Sequence, residues 1–179
     1  MLRRTAAVLI LIDFQGKLAQ SMCNKEELFA NTVKLIRGFR ALGLPILVTE
    51  QTPEKLGTTI PLLASELGDA KPMAKETFSC WANPLFRDQL ESLTRRHVVL
   101  AGIESHVCVY QTALDLMQNG YTVHLVTDAI SSRTPENCKV GIRAVKSAGA
   151  QLTSTEMVLF ELLHSAADPK AREIFKIVK

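Results

Sequence analysis

The sequence predicts an α/β fold in three layers (αβα), with one parallel sheet of about five or six strands and helices on both of its faces. Two observations carry this. Short, uninterrupted apolar runs recur along the chain, as in strands buried on both faces. Longer stretches with apolar residues at helical spacing lie between them, and such alternation favours a parallel sheet with right-handed crossovers. Length and composition agree: 179 residues, 47% hydrophobic and 22% charged, fit one domain over 1–179 and exclude disorder as the main state.

Ala6–Asp13 (AAVLILID) is apolar until its final carboxylate and reads as the first strand. Asn24 precedes Lys25-Glu26-Glu27, a helix start with acid in its first turn, and Leu28, Thr32, Leu35, Ile36, Phe39 and Leu42 follow at helical spacing. Gly43 closes that helix and Pro45 bars its continuation. Ile46–Thr49 is a second short strand. Residues 50–83 read as irregular, punctuated by Pro53, Gly57, Pro61, Gly68 and Pro72, with one short helix near Ile60–Leu67. Pro84–Leu93 reads as helix, His97–Ala101 as a buried strand, and Val107–Gln118 as a helix stopped by Asn119-Gly120. Thr122–Thr127 is a strand ending at Asp128, and Thr134 caps a helix that has Pro135 at its first position and ends near Gly149. Gln151–Thr153 is a short strand before two final helical segments, the second opening at Asp168-Pro169.

With 21 basic and 18 acidic side chains, the net charge is +3. That balance lacks the clustered positive excess of a nucleic-acid footprint. The apolar run at the start is too short for a signal h-region with its cleavage site or for a membrane span. Cys23, Cys80, Cys108 and Cys138 form no Cys-x-x-Cys pair, and a core of this size needs no disulfide frame, so a reducing, cytoplasmic setting is expected. No Gly-x-Gly dinucleotide fingerprint, phosphate loop or Gly-x-Ser-x-Gly elbow is present. His97, His106, His124 and His164 show no ligand spacing, so neither metal nor cofactor is expected.

In parallel sheets the ligand crevice lies beyond the carboxyl ends of the strands, which directs attention to residues after Ile12, Val48, Ala101 and Thr127. Cys108 falls in the first turn of the helix after the 97–101 strand, where the helix dipole favours a thiolate. The position suits a buried core thiol equally well. Asp13 is placed to act as a general base if it reaches a thiol proton, or else to cap its loop. Asp128 ends a strand in the same way, so position alone is not specific. Lys75, in Met73–Trp81 (MAKETFSCW), reads either as a solvated surface lysine or as a charge holding a thiolate and a carboxylate together.

Asp13, Lys75 and Cys108, in this order, resemble the catalytic set of the isochorismatase-like, or cysteine hydrolase, family. The resemblance covers nearly the whole chain, and the segments that carry it are ILIDFQGKL (Ile10–Leu18), TEQTPEKLG (Thr49–Gly57), AKETFSCW (Ala74–Trp81), AGIESHVCV (Ala101–Val109) and VTDAISSR (Val126–Arg133). The resemblance implies a parallel sheet of Rossmann-like topology between helix layers. It implies Asp13 as base, Lys75 as charge partner and Cys108 as nucleophile. It also implies a cis peptide at Ile103–Glu104 and an oxyanion site made of the Glu104 and Cys108 backbone N–H groups. The reaction it implies is hydrolysis of a small amide or ureide through a thioester; a non-catalytic binding or regulatory module on the same fold is the alternative. Nicotinamidases of the family carry an Asp-x-His metal cluster after the second strand; the equivalent stretch here, Thr49–Pro53, holds no histidine, which argues against that activity and against a metal. Members that cleave the vinyl ether of isochorismate lack the cysteine, which argues against that reaction too. Phe14, Gln15, Gln51, Phe78, Trp81 and His106 flank the motifs and are expected to line the pocket. Family members commonly assemble, so a homo-oligomer (dimer, tetramer or larger) is expected, with a neighbour or the 50–83 segment closing the site.

Overall fold

The computed structural model describes residues 1–179. Its centre is one six-stranded sheet: β1 (Ala7–Ile12), β2 (Ile46–Gln51), β3 (Pro72–Lys75), β4 (His97–Ile103), β5 (Thr122–Ser131) and β6 (Gln151–Thr153). The strand order is β3-β2-β1-β4-β5-β6 and every pairing is parallel. The chain winds outward in both directions from β1, so the order reverses between β1 and β4, the place where such sheets open a crevice.

Nine helices complete the layers: α1 (Gly16–Gln20), α2 (Lys25–Ala41), α3 (Pro53–Leu56), α4 (Pro61–Ala64), α5 (Pro84–Ser92), α6 (Tyr110–Gln118), α7 (Pro135–Ser147), α8 (Thr155–Leu163) and α9 (Ala171–Val178). Strand alternation sorts them. Ala7, Leu9 and Leu11 of β1 share a buried cluster with Phe39 of α2, Leu159 of α8 and Ile174 of α9. Val8, Ile10 and Ile12 point the other way, into a cluster with Phe86 of α5, Val109 and Leu116 next to and on α6, and Val145 of α7. Every residue of β1 is therefore buried, which explains why it reads as an unbroken apolar run.

Four details depart from the sequence reading. The 50–83 segment contains the edge strand β3, which pairs with β2 in the register Gln51↔Lys75. The helix expected over Val107–Gln118 begins as a π-helical turn, Ser105–Val109, before α6. β5 does not stop at Thr127: its register against β4 shifts between Leu100 and Gly102 and it continues through Asp128 to Ser131. Asp128 is thus inside the strand, and its Oδ1 accepts hydrogen bonds from the backbone and hydroxyl of Thr155 at the start of α8. Asn24 has a left-handed backbone (φ 49°) and offers α2 only its carbonyl, which accepts from Leu28, so its side chain is not a cap. Thr134 does cap α7, its hydroxyl accepting from Asn137 N–H at 3.2 Å.

Gly102 allows the end of β4 to lie close against β1. Its φ is +150°, and a Cβ there would stand 2.5 Å from Cβ of Ile12, closer than side chains tolerate.

Candidate active site

Three strand ends meet at the reversal of strand order. Asp13 follows the last residue of β1, Lys75 is the last residue of β3, and Cys108 lies in the π-helical turn after β4. All three are buried, at 1%, 3% and 7% exposure. Asp13 takes a left-handed backbone (φ 56°), a conformation costing roughly 1 kcal/mol for a residue with a side chain, while its N–H still donates to Thr49 O at 3.2 Å. The chain thereby leaves the strand direction but stays hydrogen-bonded to β2.

The Asp13 carboxylate is gripped at both oxygens. Oδ2 accepts from Lys75 Nζ at 2.7 Å, and Oδ1 accepts from Thr49 Oγ1 at 2.8 Å. The Lys75 ammonium also donates to Gln51 Oε1 at 2.6 Å and reaches the carbonyls of Thr77 (3.2 Å) and Phe78 (3.3 Å). A charge taken out of water this completely persists only when paired and hydrogen-bonded, and this one is both. Burial works against the ammonium, but its acidic surroundings outweigh burial and hold Lys75 above the ordinary lysine value; of the neighbouring groups Cys80, Asp13 and Cys108, the charged one is the Asp13 carboxylate. Among those groups the direct salt bridge is to Asp13.

The thiol of Cys108 is pushed up, first by burial and then by the Asp13 charge; Lys75 pulls in the opposite direction without cancelling them. The helix-start effect expected from the sequence is outweighed, and the resting side chain is a neutral thiol beside a carboxylate. Cys80, fully buried next to the same ion pair, is pushed up to about 11, again chiefly by burial.

The turn carrying Cys108 is anchored from outside. Glu104, which follows a cis peptide from Ile103, takes the Arg133 backbone N–H at 3.0 Å and the Arg133 Nε at 3.1 Å. Its carbonyl accepts from Val107 and Val109 N–H. Ser132 Oγ lies 2.6 Å from Ser105 Oγ and 3.0 Å from His106 Nδ1. The segment 131–133 at the end of β5 therefore holds both ends of the sequence Glu104-Ser105-His106.

The six residues expected to line a pocket fall into two groups. Phe14 is 2% exposed and belongs to the α2/α8 core, so it packs and does not line. Gln15 is completely buried: its Oε1 accepts from Gln51 N–H at 2.6 Å, and its Nε2 donates to the carbonyls of Gln51 and Gly57. Gln51 gives Oε1 to Lys75 and Nε2 to Glu76 O and Thr52 Oγ1, which leaves its amide committed inside the protein. Both glutamines brace the ion pair in place of facing a ligand. Phe78, in contrast, is 53% exposed, while its carbonyl accepts from the Lys75 ammonium. Trp81 is partly exposed and packs edge-on to Tyr121, with ring centroids 5.6 Å apart. His106 is partly exposed within the π-helical turn that carries Cys108.

A cavity of about 370 Å³ adjoins Lys75, between Thr52–Glu54, Glu76–Thr77 and Ala82–Pro84. A larger one of about 610 Å³ lies elsewhere, between Cys23–Asn24, Thr127–Asp128 and Cys138–Lys139. Asp13 and Cys108 line neither. No grouping of three or more His, Cys, Asp or Glu side chains has metal-binding geometry.

Sequence reasoning missed Thr49, the bracing role of the two glutamines, and Ser132. Thr49 was visible as the polar end of an apolar strand next to Asp13's strand, but its pairing partner was not.

The isochorismatase domain model matches residues 7–157. Isochorismatase domain-containing protein 2 of Xenopus laevis is 37% identical over 174 residues, covering 97% of this chain and 83% of that protein. Among solved structures, the MAR1 ribonuclease of Caenorhabditis elegans aligns with a TM-score of 0.92 at 35% identity, over 99% of this chain and 91% of that one. The YcaC gene product of Escherichia coli, described as an octameric hydrolase of unknown specificity, aligns with a TM-score of 0.92 at 24% identity over 98% and 89%, a likeness of fold.

Proposed function

The chain belongs to the isochorismatase-domain family and has its cysteine-hydrolase-type fold, and on that premise we propose that it hydrolyses the C–N bond of a small amide or ureide through a thioester on Cys108. The observation that carries this reading is the convergence of Asp13, Lys75 and Cys108, from three separate strand ends, into one buried cluster.

In this reading the sulfur of Cys108 attacks the carbonyl carbon as Asp13 takes its proton. Because the resting thiol is neutral, attack and proton transfer are coupled, and the base has to lie against the sulfur. The backbone N–H groups of Glu104 and Cys108 receive the developing oxyanion. The amine or ammonia leaves with the proton held by Asp13. Asp13 then deprotonates a water that attacks the thioester carbonyl; the C–S bond breaks, the acid departs, and the proton on Asp13 returns to the Cys108 sulfur. Lys75 fixes the carboxylate and balances its charge. Phe78, Trp81 and His106 contact the substrate, while Phe14, Gln15 and Gln51 hold the site from behind. The chemistry requires neither metal nor cofactor.

The test is alkylation by iodoacetamide, a carboxamide-bearing electrophile, read by peptide mass spectrometry together with a hydrolysis screen over amides and ureides. Cys108 is expected to react faster than Cys23, Cys80 and Cys138, and Asp13→Asn to slow it. Equal labelling of Cys108 and the partly exposed Cys23, with no turnover in the screen, would overturn the reading.

A second reading, a small-molecule-binding module that retains the three residues, is favoured by the raised Cys108 thiol. Tight binding without turnover of any amide, ureide or ester is its signature. The activity named for the Caenorhabditis elegans relative is less compatible with this site, since the Lys75 side chain is 1% exposed and committed to Asp13, leaving it unavailable to a phosphate. Assay on RNA separates that activity from both readings.

We also propose a homo-oligomer in a reducing, cytoplasmic compartment. The four cysteines are free, no helix is long and apolar enough to cross a membrane, and Leu62, Phe78, Leu85 and Met157 expose more than half of their surface. Light scattering after size exclusion measures the assembly directly; a monomer at micromolar concentration would overturn that part.

A further inference from the structure

We propose that Thr49 is a positioning residue for Asp13: its hydroxyl, itself held by the thiol of Cys80, keeps one carboxylate oxygen from turning onto Lys75 and so keeps the carboxylate aimed at Cys108. The inference rests on the hydrolase reading above and adds two residues to it.

The hydrogen count makes the argument. Thr49 has one hydroxyl hydrogen, and its short contact to Asp13 Oδ1 (2.8 Å) is a donation to a carboxylate. Its lone pairs are then left to accept, and the atom facing them is Cys80 Sγ at 3.6 Å. Thr49 is 1% exposed and Cys80 is fully buried, so no solvent competes for either contact. Cys80 is held in turn, its N–H donating to Thr112 Oγ1 of α6 at 2.9 Å. The result is a chain that runs Cys80 S–H to Thr49 O–H to Asp13 Oδ1, opposite the Lys75 ammonium on Oδ2. Each donation strengthens the next in a buried chain of this kind.

The chain settles a competition. A carboxylate beside an ammonium gains by presenting both oxygens to it, and Lys75 is fixed by three further acceptors, so Asp13 is the side chain free to turn. The Thr49 hydroxyl claims Oδ1 and blocks that rotation. Thr49 also holds the Asp13 backbone, accepting its N–H at 3.2 Å, so one residue sets both the position and the rotation of the base. Cys80 acts through Thr49 and touches no reacting atom.

The experiment measures Cys108 alkylation by iodoacetamide at neutral pH in the full-length protein, with thermal melting to establish that each variant is folded. Thr49→Val, which keeps the branched shape, is expected to slow alkylation about tenfold, and Thr49→Ser, which restores the hydroxyl, to return it to within about twofold of wild type. Cys80→Ala is expected to slow it by a smaller factor, and the Thr49→Val/Cys80→Ala double variant to be no slower than Thr49→Val alone, because Cys80 works only through Thr49. A wild-type rate in Thr49→Val, or a Thr49→Ser protein as slow as Thr49→Val, overturns the role of the hydroxyl. A double variant slower than Thr49→Val overturns the chain through Cys80. If Asp13→Asn labels as fast as wild type, the hydrolase reading fails and this inference with it; if Asp13→Asn is slow and Thr49→Val is not, this inference alone fails.

Discussion

Gly141 on α7 is in backbone contact with Ser105, three residues before Cys108: a Cβ at 141 would stand 2.7 Å from the carbonyl carbon and oxygen of Ser105 and 2.8 Å from His106 N. A helix that reads in the sequence as an ordinary amphipathic element is thus the seat on which the turn carrying Cys108 rests.

Gly141→Ala tests that seat. In an open helix the change would gain about 1 kcal/mol of helix propensity. Here the obstructing atoms are backbone and cannot rotate away, so a net loss of about 2 kcal/mol is expected, lowering the melting temperature by about 4–8 °C. Cys108 alkylation should slow as well, because the displaced atoms belong to its own turn. A variant more stable than wild type would mean that the contact relaxes freely.

Lys75→Met leaves the Asp13 carboxylate buried without its counter-ion and is expected to cost about 3–5 kcal/mol in urea denaturation. Adding Asp13→Asn removes the stranded charge, so the double variant should be more stable than Lys75→Met alone. A double variant no more stable than the single would place the cost in lost packing.

Gln15→Ala and Phe78→Ala separate bracing from lining. The first deprives Gln51 N–H of its acceptor and two carbonyls of their donor in a dry interior, and about 2–3 kcal/mol of stability should go with it. The second removes a half-exposed ring, and stability should stay within about 0.5 kcal/mol of wild type. In a hydrolase, Phe78→Ala should then raise KM with little change in melting temperature. The opposite pattern would reverse the two assignments.

At the opposite ends of the strands, where β4 and β5 begin, His97 Nδ1 and His124 Nε2 are 3.0 Å apart, and burial, then the charge of His97, bring His124 down to about 4; Glu161 opposes this and the N-terminal amino group adds to it. Unfolded, the same imidazole takes its proton near 6.5. The unfolded state therefore binds more protons between those values, and stability falls as the pH drops through that window, by on the order of 3 kcal/mol at its acid end. Urea midpoints at pH 7 and pH 4.5 should differ more in wild type than in His124→Asn. Equal differences would place the acid sensitivity elsewhere.

The strands read most directly from the sequence are those buried on both faces, although the short, partly exposed β6 is read with the same bounds. β1, β4 and the first half of β5 announce themselves because no position in them has to be polar. β3 could not be read this way: it is a four-residue edge strand that starts at a proline and buries only Met73 and Lys75. Without that strand, Lys75 reads as surface, since its burial follows from the non-local register Gln51↔Lys75. Gln15 misleads for the same reason, as an amide that looks fit for solvent and is wholly buried because the backbones of Gln51 at the end of β2 and of Gly57 close on it. Position made Asp13 and Cys108 worth watching, but only the family resemblance separated Asp13 from Asp128. The continuation of β5 past Asp128 needed the register shift opposite Gly102, which no local pattern encodes.

The pairing of Asp13 with Lys75, beside a neutral thiol, leaves this buried cluster electrically silent toward an arriving molecule. A substrate of either sign meets no long-range pull from it, so encounter should proceed at the unsteered rate of roughly 10⁵–10⁶ M⁻¹s⁻¹ and change little with ionic strength. On the proposed hydrolase reading, selection among electrophiles then falls to the aromatic surface of Phe78 and Trp81 at short range, and uncharged guests are favoured by default.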